Sequence, residues 1–176
     1  MQKKIIVSGA GGALGKAVVN KFRAENYYVA GIYHRRHDHE AVKVSAEFVF
    51  DLADAQAAEE EIEKMIKELG NVDVLACIAG GFGMNSIENA TAADIKKAFD
   101  LNFFTAYNLV RPVFNHMKQQ GHGRIFLTGS RQGLFPEIGA QALAYTLSKS
   151  LLFSLAKILN GDKDGNVIVT VIVPST

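Results

Sequence analysis

The sequence predicts a doubly wound α/β fold, in which helices cover both faces of a parallel β-sheet. Three observations support this prediction. Short apolar runs alternate with longer amphipathic runs along the whole chain, which is typical of consecutive β-α-β units. A glycine-rich turn over residues 9–15 joins the first apolar run directly to the first amphipathic run. Residues 72–79 are almost continuously apolar, as in a strand that is buried on both faces.

Length and composition limit the classes of protein to consider. The 176 residues have the length of a single domain, residues 1–176. With 19 Lys and Arg against 18 Asp and Glu, the net charge is +1, so neither nucleic acid nor an anionic membrane is an expected partner. The single cysteine, Cys77, excludes an internal disulfide framework and fits the cytoplasm. No apolar run approaches the ~18 residues of a membrane span, and no metal site is predicted.

Six short runs rich in β-branched and aromatic residues are predicted to be strands. Residues that disfavour a buried strand follow them, such as His34 after the second run and Gly80 after the fourth. The last run is apolar on both faces although it would lie at the edge of the sheet, and Pro174 stops it. In order, the predicted strands cover residues 3–8, 27–33, 46–50, 72–79, 124–128 and 167–173.

Four longer runs repeat apolar residues at helical spacing and are predicted to be helices. Thr91 and Asp94 resemble a capping pair at the start of the third run. Pro112 lies inside that run, so we expect either a bend there or two consecutive helices that meet at residues 100–102. Residues 129–139 are predicted to be a loop. In order, the predicted helices cover residues 13–25, 55–69, 92–120 and 140–160.

The turn over residues 9–15 is the first candidate binding element. Gly9, Gly12 and Gly15 let the backbone leave the strand sharply and approach a ligand without hindrance from a Cβ atom. Free amides and the positive end of the helix dipole would then point at one spot, which suits the pyrophosphate of a dinucleotide. A tight structural turn with no ligand is the alternative explanation.

In doubly wound sheets, ligands bind beyond the carboxyl ends of the strands. We therefore expect the segments that follow these ends to converge on one site. These segments are the turn over 9–15, His34 to Arg36, Asp51, Ala79 to Gly81, and Ser130.

Tyr145 and Lys149 are the first candidate catalytic pair. Four residues separate them, so they lie on one face of the last predicted helix. A cation about 4 Å away contributes up to about 4 kcal/mol at an effective dielectric constant of about 20, which favours the tyrosinate. The hydroxyl of Ser130 could hold a substrate oxygen beside Tyr145. The alternative is a Tyr145 half-buried in the core with a solvated Lys149.

Together these residues resemble the short-chain dehydrogenase/reductase family over nearly the whole chain. Residues 7–15 look like its cofactor turn, Asp51 and Leu52 like its adenine-side acid, and residues 77–80 like its motif after strand four. The resemblance implies a Rossmann fold with strand order 3-2-1-4-5-6. It implies binding of a nicotinamide dinucleotide by Gly9, Gly11, Gly12, Leu14, Gly15, His34, Arg35, Arg36, Asp51, Leu52, Ala79, Gly80, Gly81 and Pro174.

The resemblance also implies catalytic roles. Asn102, Ser130, Tyr145 and Lys149 match the family tetrad in order and element. Tyr145 would be the acid/base, Lys149 would bind the nicotinamide ribose and favour the tyrosinate, Ser130 would orient the carbonyl, and Asn102 would hold a proton-relay water. The interval between Ser130 and Tyr145 is slightly longer than usual, so the loop between them should bulge.

The sequence therefore predicts an oxidoreductase for a small carbonyl or alcohol substrate. His34, Arg35 and Arg36 follow strand two with no acid until Asp38, which favours NADP(H) over NAD(H). One alternative is a dinucleotide-binding sensor or scaffold without turnover. Residues 12–15 and 77–81 are also similar to dihydropteridine reductases, so a pterin-type reductase that uses NADH is a second alternative.

Relatives in the family continue beyond the position of Pro174. Their additional residues form a substrate-covering loop, a helix and a seventh strand that often helps to form dimers and tetramers. The sequence stops two residues after Pro174. We therefore expect a longer natural protein or a partner chain at this edge, and we expect a homodimer or homotetramer.

Overall fold

The computed structural model of the chain describes residues 2–35, 42–162 and 166–174. In these residues six parallel strands form one sheet with the order β3-β2-β1-β4-β5-β6, which confirms the predicted order. The strands are β1 (Lys4–Ser8), β2 (Tyr28–Tyr33), β3 (Ala46–Val49), β4 (Val74–Cys77), β5 (His122–Thr128) and β6 (Asn166–Ile172).

The order of the strands reverses at β1, which lies between β2 and β4. Ser8, the last residue of β1, pairs with Ile32 on one side and with Cys77 on the other. Because chain connections leave β1 and β4 in opposite directions, a crevice opens beyond these carboxyl ends. The fold thus places the glycine-rich turn beside the segment that follows β4.

The described helices occupy two layers. The helix α1 packs on one face through Val18, Val19 and Phe22. The helices α2, α4 and α6 cover the other face and share the larger apolar core. The helices are α1 (Ala13–Ala24), α2 (Ala55–Leu69), α3 (Ala92–Phe99), α4 (Thr105–Gln120), α5 (Arg131–Leu134) and α6 (Leu143–Gly161).

Local sequence explains where two of these helices begin. The Asp54 side chain accepts a hydrogen bond from the Ala57 amide at the start of α2. Thr91 and Asp94 form the predicted capping box of α3, in which each side chain accepts from the backbone of the other residue. These caps fix where α2 and α3 begin.

The long run over residues 92–120 consists of two helices and a connecting turn. A π-helical turn, Asp100–Phe104, joins α3 to α4, and α4 continues through Pro112. The second of the two predicted arrangements is therefore the observed one. The two helices thus meet in the wider turn that begins at residue 100, and not at the proline.

Two elements differ from the prediction near the end of the chain. Residues 131–134 and 136–138 form α5 and a 3₁₀ turn where a loop was expected. The helix α6 begins at Leu143, three residues later than predicted. The short helical pieces accommodate the long interval between Ser130 and Tyr145.

The last strand lies at the edge of the described sheet. Val167 and Val169 are buried, whereas Ile168 and Ile172 are each 47% exposed. The strand is thus apolar on both faces, as predicted, but only one of them is covered by the described residues. No helix in the described part of the chain has both the length and the apolar character needed to cross a bilayer.

Candidate active site

The carboxyl ends of the first four strands border a cleft of about 610 Å³, here called the larger cleft. Its position is the crevice at which the strand order reverses. The fold therefore brings together most of the segments that were expected to converge. Eight of the predicted coenzyme-binding residues line it: Gly9, Gly11, Gly12, His34, Asp51, Leu52, Ala79 and Gly80.

The glycine-rich turn forms one wall of the larger cleft. Gly9 has a φ of +64°, and a Cβ atom there would lie 2.9 Å from the Ala79 amide nitrogen. The N-cap of α1 is Gly12, which has no side chain, and Ala13, Leu14 and Gly15 carry no carboxylate. The positive end of α1 thus faces the cleft without a capping group of its own, which suits the pyrophosphate of a dinucleotide.

Three predicted coenzyme-binding residues lie away from this wall. Gly15 is buried, and a Cβ atom there would overlap the Gly9 carbonyl oxygen, so this glycine is required by the turn itself. Leu14 is exposed on α1 outside the described lining of the cleft. Pro174 is exposed beyond the end of β6 and likewise lies outside that lining.

Polar residues after β2 and β3 form the far end of the larger cleft. His34 Nδ1 lies 3.6 Å from Asp51 Oδ1. Asp51 Oδ1 also accepts a hydrogen bond of 2.8 Å from the Ala53 amide, which fixes the carboxylate. Arg35 is exposed and lies outside the described lining, and Arg36 falls outside the described residues.

The end of β4 is tied to β1 by a side chain. Ser8 Oγ accepts hydrogen bonds from the amides of Ile78 and Ala79, at 3.0 and 3.2 Å. Cys77 is buried beside it, and burial raises the pKa of its thiol to about 12, although the Lys149 ammonium acts in the opposite direction. The thiol is therefore protonated at neutral pH.

Asn102 lies in the π-helical turn and is almost completely buried. Its Oδ1 accepts from the Gly81 amide at 3.0 Å, and its Nδ2 donates to the Ala98 carbonyl at 3.2 Å. A Cβ atom at Gly80 would lie 2.7 Å from Asn102 Oδ1. The asparagine therefore holds the segment after β4 against the end of α3 and the π-helical turn.

Lys149 lies under the same segment. It is 4% exposed, and its Nζ donates a hydrogen bond of 2.8 Å to the Thr128 carbonyl at the end of β5. A Cβ atom at Gly80 would lie 3.2 Å from this Nζ. Burial lowers the pKa of Lys149 to about 8, so the ammonium form still predominates at pH 7.

Ser130 is the N-cap of α5, and its Oγ accepts a hydrogen bond of 2.9 Å from the Gly133 amide. A Cβ atom at Gly133 would lie 2.9 Å from the backbone of Lys149. This glycine therefore allows the short helix to pack closely on α6. Ser130 is buried and lies outside the described lining of both clefts.

Tyr145 lines a second cleft of about 200 Å³, here called the smaller cleft, together with Asn102 and Phe82. The Phe82 ring meets the Tyr145 ring edge to face, with centroids 5.0 Å apart. Lys97 and Leu101 line both clefts, so the two clefts adjoin along α3 and the π-helical turn. Gly81, the remaining predicted coenzyme-binding residue, lines the smaller cleft.

The sequence analysis missed several residues that border these clefts. Lys97, Asp100 and Thr105 line the larger cleft, and Asn85 lines the smaller one. A helical pattern alone does not show which turn faces a ligand, because α3 and α4 are both amphipathic. The capping box at Thr91 fixes the start of α3, but it does not show which side of α3 borders a cleft.

Comparison with known proteins gives the family of this chain. The family model described as short chain dehydrogenase matches residues 3–176. The chain belongs to the short-chain dehydrogenase family. This membership agrees with the parallel sheet, its strand order and the glycine-rich turn at the crevice.

Among curated relatives of this short-chain dehydrogenase, an acetoacetyl-CoA reductase from Acinetobacter sp. (strain RA3849) is 29% identical. That match covers 98% of this chain and 73% of the relative. A dihydropteridine reductase from Dictyostelium discoideum is 28% identical over 94% of this chain and 68% of its own length. A 2,3-dihydro-2,3-dihydroxybenzoate dehydrogenase from Escherichia coli (strain K12) is 29% identical, and the match covers 88% of this chain and 60% of that protein.

A solved structure has the same fold. The short-chain dehydrogenase from Streptomyces avermitilis superposes with a TM-score of 0.89 and 21% sequence identity. The match covers 100% of this chain but only 66% of that chain. The chain thus spans about two thirds of the length of proteins that share its fold.

Proposed function

We propose that this short-chain dehydrogenase is an NADP(H)-dependent oxidoreductase that transfers hydride between the nicotinamide and a small carbonyl or alcohol substrate. Tyr145 acts as the acid/base. A cytoplasmic location and assembly as a homodimer or homotetramer stay predictions from the sequence.

The observation that carries the proposal is that the two clefts adjoin and share lining residues. The larger cleft has the uncapped start of α1 in its wall, and the smaller cleft contains Tyr145. Lys97 and Leu101 border both. A dinucleotide held in the larger cleft can therefore present its nicotinamide to a substrate that contacts Tyr145.

The chain offers a residue for each part of such a coenzyme. The uncapped start of α1 after Gly12 would bind the pyrophosphate, and Asp51 and Leu52 would border the adenine. Lys149, beneath Gly80, would bind the ribose next to the nicotinamide. When bound, the nicotinamide supplies or accepts the hydride.

The proton is handled by side chains of this chain. The Tyr145 hydroxyl donates a proton to the substrate oxygen during reduction and accepts it during oxidation. Lys149 lies one helical turn from Tyr145 on α6, and its Nζ donates to the Thr128 carbonyl. Ser130 Oγ accepts from the Gly133 amide, and by the family resemblance its own O–H would orient the substrate carbonyl.

The proposed acid/base is tested by Tyr145→Phe. The change removes one hydroxyl and almost no volume, so turnover should fall at least about a hundredfold while the Kd of NADPH stays nearly unchanged. Oxidation of NADPH would be followed with a panel of ketones, quinones, pterins and acyl thioesters. Retention of most of the kcat with the best substrate of the panel would reject Tyr145.

The panel also separates the alternatives. A sensor or scaffold would bind NADPH but oxidise it with no compound in the panel. A pterin-type reductase would be most active with a quinonoid dihydropterin and NADH. The similarity to the Dictyostelium dihydropteridine reductase is the reason to include this substrate.

The coenzyme preference is tested by direct binding. A carboxylate would repel the 2′-phosphate of NADPH, and arginine can bind it in bidentate fashion. We expect NADPH to bind at least about tenfold more tightly than NADH at low salt. Arg35→Asp should reverse this order, with Lys43→Asp as the control that changes charge by the same amount. Equal Kd values for the two coenzymes would contradict the preference.

A further inference from the structure

The loop between β4 and α3 is joined to the start of α6 by one residue, Asn85. Its amide donates to the Gln141 carbonyl at 3.1 Å, and its own carbonyl accepts from the Leu143 amide at 2.9 Å. Its Oδ1 accepts from the Ala144 amide at 3.0 Å. Fifty-nine positions separate Asn85 from Ala144, so these bonds connect two distant parts of the chain.

The start of α6 needs such a partner. The first amides of a helix have no acceptor within it. The N-cap of α6 is Ala142, whose methyl side chain accepts no hydrogen bond. Asn85 therefore supplies acceptors for the first two helical amides, at Leu143 and Ala144, and does so with a residue type that is favoured at helix N-termini.

The same loop also contacts the next residue of α6. Tyr145 is the third residue of α6, and the Phe82 ring packs edge to face on its ring. Phe82 is itself 63% exposed, so this contact orients Tyr145 more than it builds the core. Residues 82–85 thus hold both the backbone of the first turn of α6 and the ring of Tyr145.

The loop is itself anchored on two sides. The Gly81 amide donates to Asn102 Oδ1 at its beginning. Farther along, the Ser86 amide donates to Asn89 Oδ1, and the Ala90 amide donates to the Ser86 carbonyl. The position of Asn85 is therefore defined relative to Asn102, which also lines the smaller cleft.

We infer that Asn85 is a positioning residue for Tyr145: it caps α6 across the smaller cleft and sets the place of the Tyr145 hydroxyl relative to the bound substrate. The inference rests on the proposed function, in which Tyr145 is the acid/base. It assigns no contact between Asn85 and the substrate.

Four variants of the chain test this inference. Asn85→Ala removes the side-chain acceptor, whereas Asn85→Asp keeps an acceptor and places a negative charge at the positive end of α6. Ile87→Ala is the matched control, because Ile87 is exposed in the same loop and lies outside the described lining of the smaller cleft. Asn85→Ser shortens the acceptor and replaces Asn85→Ala if that variant does not fold.

The first measurement needs no substrate. Amide hydrogen exchange followed by NMR should show that the Ala144 amide exchanges about fivefold faster or more in Asn85→Ala. Asn85→Asp should restore the rate to within about twofold, and Ile87→Ala should leave it unchanged. If the Ala144 amide exchanged at the wild-type rate in Asn85→Ala, the inference that Asn85 caps α6 would be wrong.

The second measurement uses the panel substrate that wild-type enzyme turns over fastest. Asn85→Ala should lower kcat about tenfold while the Kd of NADPH changes less than about twofold, because misplacement of a catalytic group affects chemistry before binding. Asn85→Asp should recover most of the kcat. A normal kcat in Asn85→Ala, or no recovery in Asn85→Asp, would overturn the positioning role.

Failure of this inference is distinguishable from failure of the proposed function. If Tyr145→Phe abolishes turnover and Asn85→Ala does not reduce it, only the positioning role is wrong. If Tyr145→Phe retains turnover, the acid/base assignment is wrong, and the positioning role is wrong with it.

Discussion

At the scale of single residues, Gly12 and Gly15 belong to the same turn but serve different purposes. A Cβ atom at Gly15 would overlap the Gly9 carbonyl oxygen, and this backbone atom cannot move away cheaply. A Cβ atom at Gly12 would meet, among the described residues, the Gly9 carbonyl oxygen at an ordinary 3.5 Å. Gly12 also has a φ of −72°, which alanine adopts without strain.

Gly12→Ala should therefore fold normally and lose dinucleotide affinity. Gly12 lines the larger cleft, so the new methyl group would occupy space where the backbone has to approach the pyrophosphate. We expect the melting temperature to change by less than about 2 °C while the Kd of NADPH rises at least about tenfold. Thermal unfolding and fluorescence titration check the two values.

Two companion variants define the outcome. Gly15→Ala should lower the melting temperature strongly, because its Cβ overlaps backbone. Gly161→Ala, at the end of α6 with open space around it, should be neutral or slightly stabilising. Unaltered NADPH affinity in a folded Gly12→Ala variant would show that the pyrophosphate does not approach this turn.

At the scale of the elements, the course of the chain around Pro112 shows how a local signal can be outweighed. The proline lacks the amide that would donate to the Asn108 carbonyl, yet α4 continues through it. The helix is held by its buried face, which contributes Leu109, Val113 and Met117 to the larger core. Packing on the sheet thus offsets the lost hydrogen bond.

Pro112→Ala should therefore stabilise the protein. The alanine restores one helical hydrogen bond and removes the ring from the preceding turn, so the free energy of unfolding should rise by about 1 kcal/mol. Urea unfolding measures the change. Gln119→Ala, on the exposed side of the same helix, should have an effect close to zero. A destabilised Pro112→Ala variant would mean that the proline ring itself is a required packing group.

Elements with a strong local pattern could be predicted from the sequence, and the others could not. The helix α2 was predicted with its observed bounds, because a regular apolar stripe runs through it and Gly70 ends it. The start of α6 was placed three residues too early. Its cap comes from Asn85, which lies far away in the chain, so no local signal marks Leu143 as the first helical residue.

The candidate site, too, could be predicted from the sequence only in part. The spacing of Tyr145 and Lys149 indicates one face of a helix, and both lie on α6. The sequence does not show that Lys149 is buried against Thr128, because that contact depends on how β5 and α6 pack. Residue types and spacing thus indicate which residues are candidates for the site. Their burial and their hydrogen-bond partners follow only from the tertiary structure.

At the scale of the whole molecule, the buried Lys149 affects global stability. Its ammonium is almost fully removed from water, and burial lowers the pKa of Lys149 from 10.5 to about 8. This difference corresponds to about 3 kcal/mol of unfavourable free energy in the native state whenever the lysine is charged. The hydrogen bond to the Thr128 carbonyl offsets part of the cost. The fold thus retains a charge at the site at the expense of stability.

Lys149→Met should therefore be more stable than the wild type at pH 7, by up to about 3 kcal/mol. Between about pH 8 and 10.5 the unfolded wild type binds more protons at this lysine than the native state does. Because of this lysine, the free energy of unfolding of the wild type rises with pH across that window. The difference in the free energy of unfolding between Lys149→Met and the wild type should therefore shrink from pH 8 to pH 10. Urea unfolding at several pH values measures this difference, with Lys96→Met on the exposed side of α3 as the control whose difference should stay constant. A constant difference for Lys149→Met from pH 7 to pH 10 would show that the native protein does not shift the titration of this lysine.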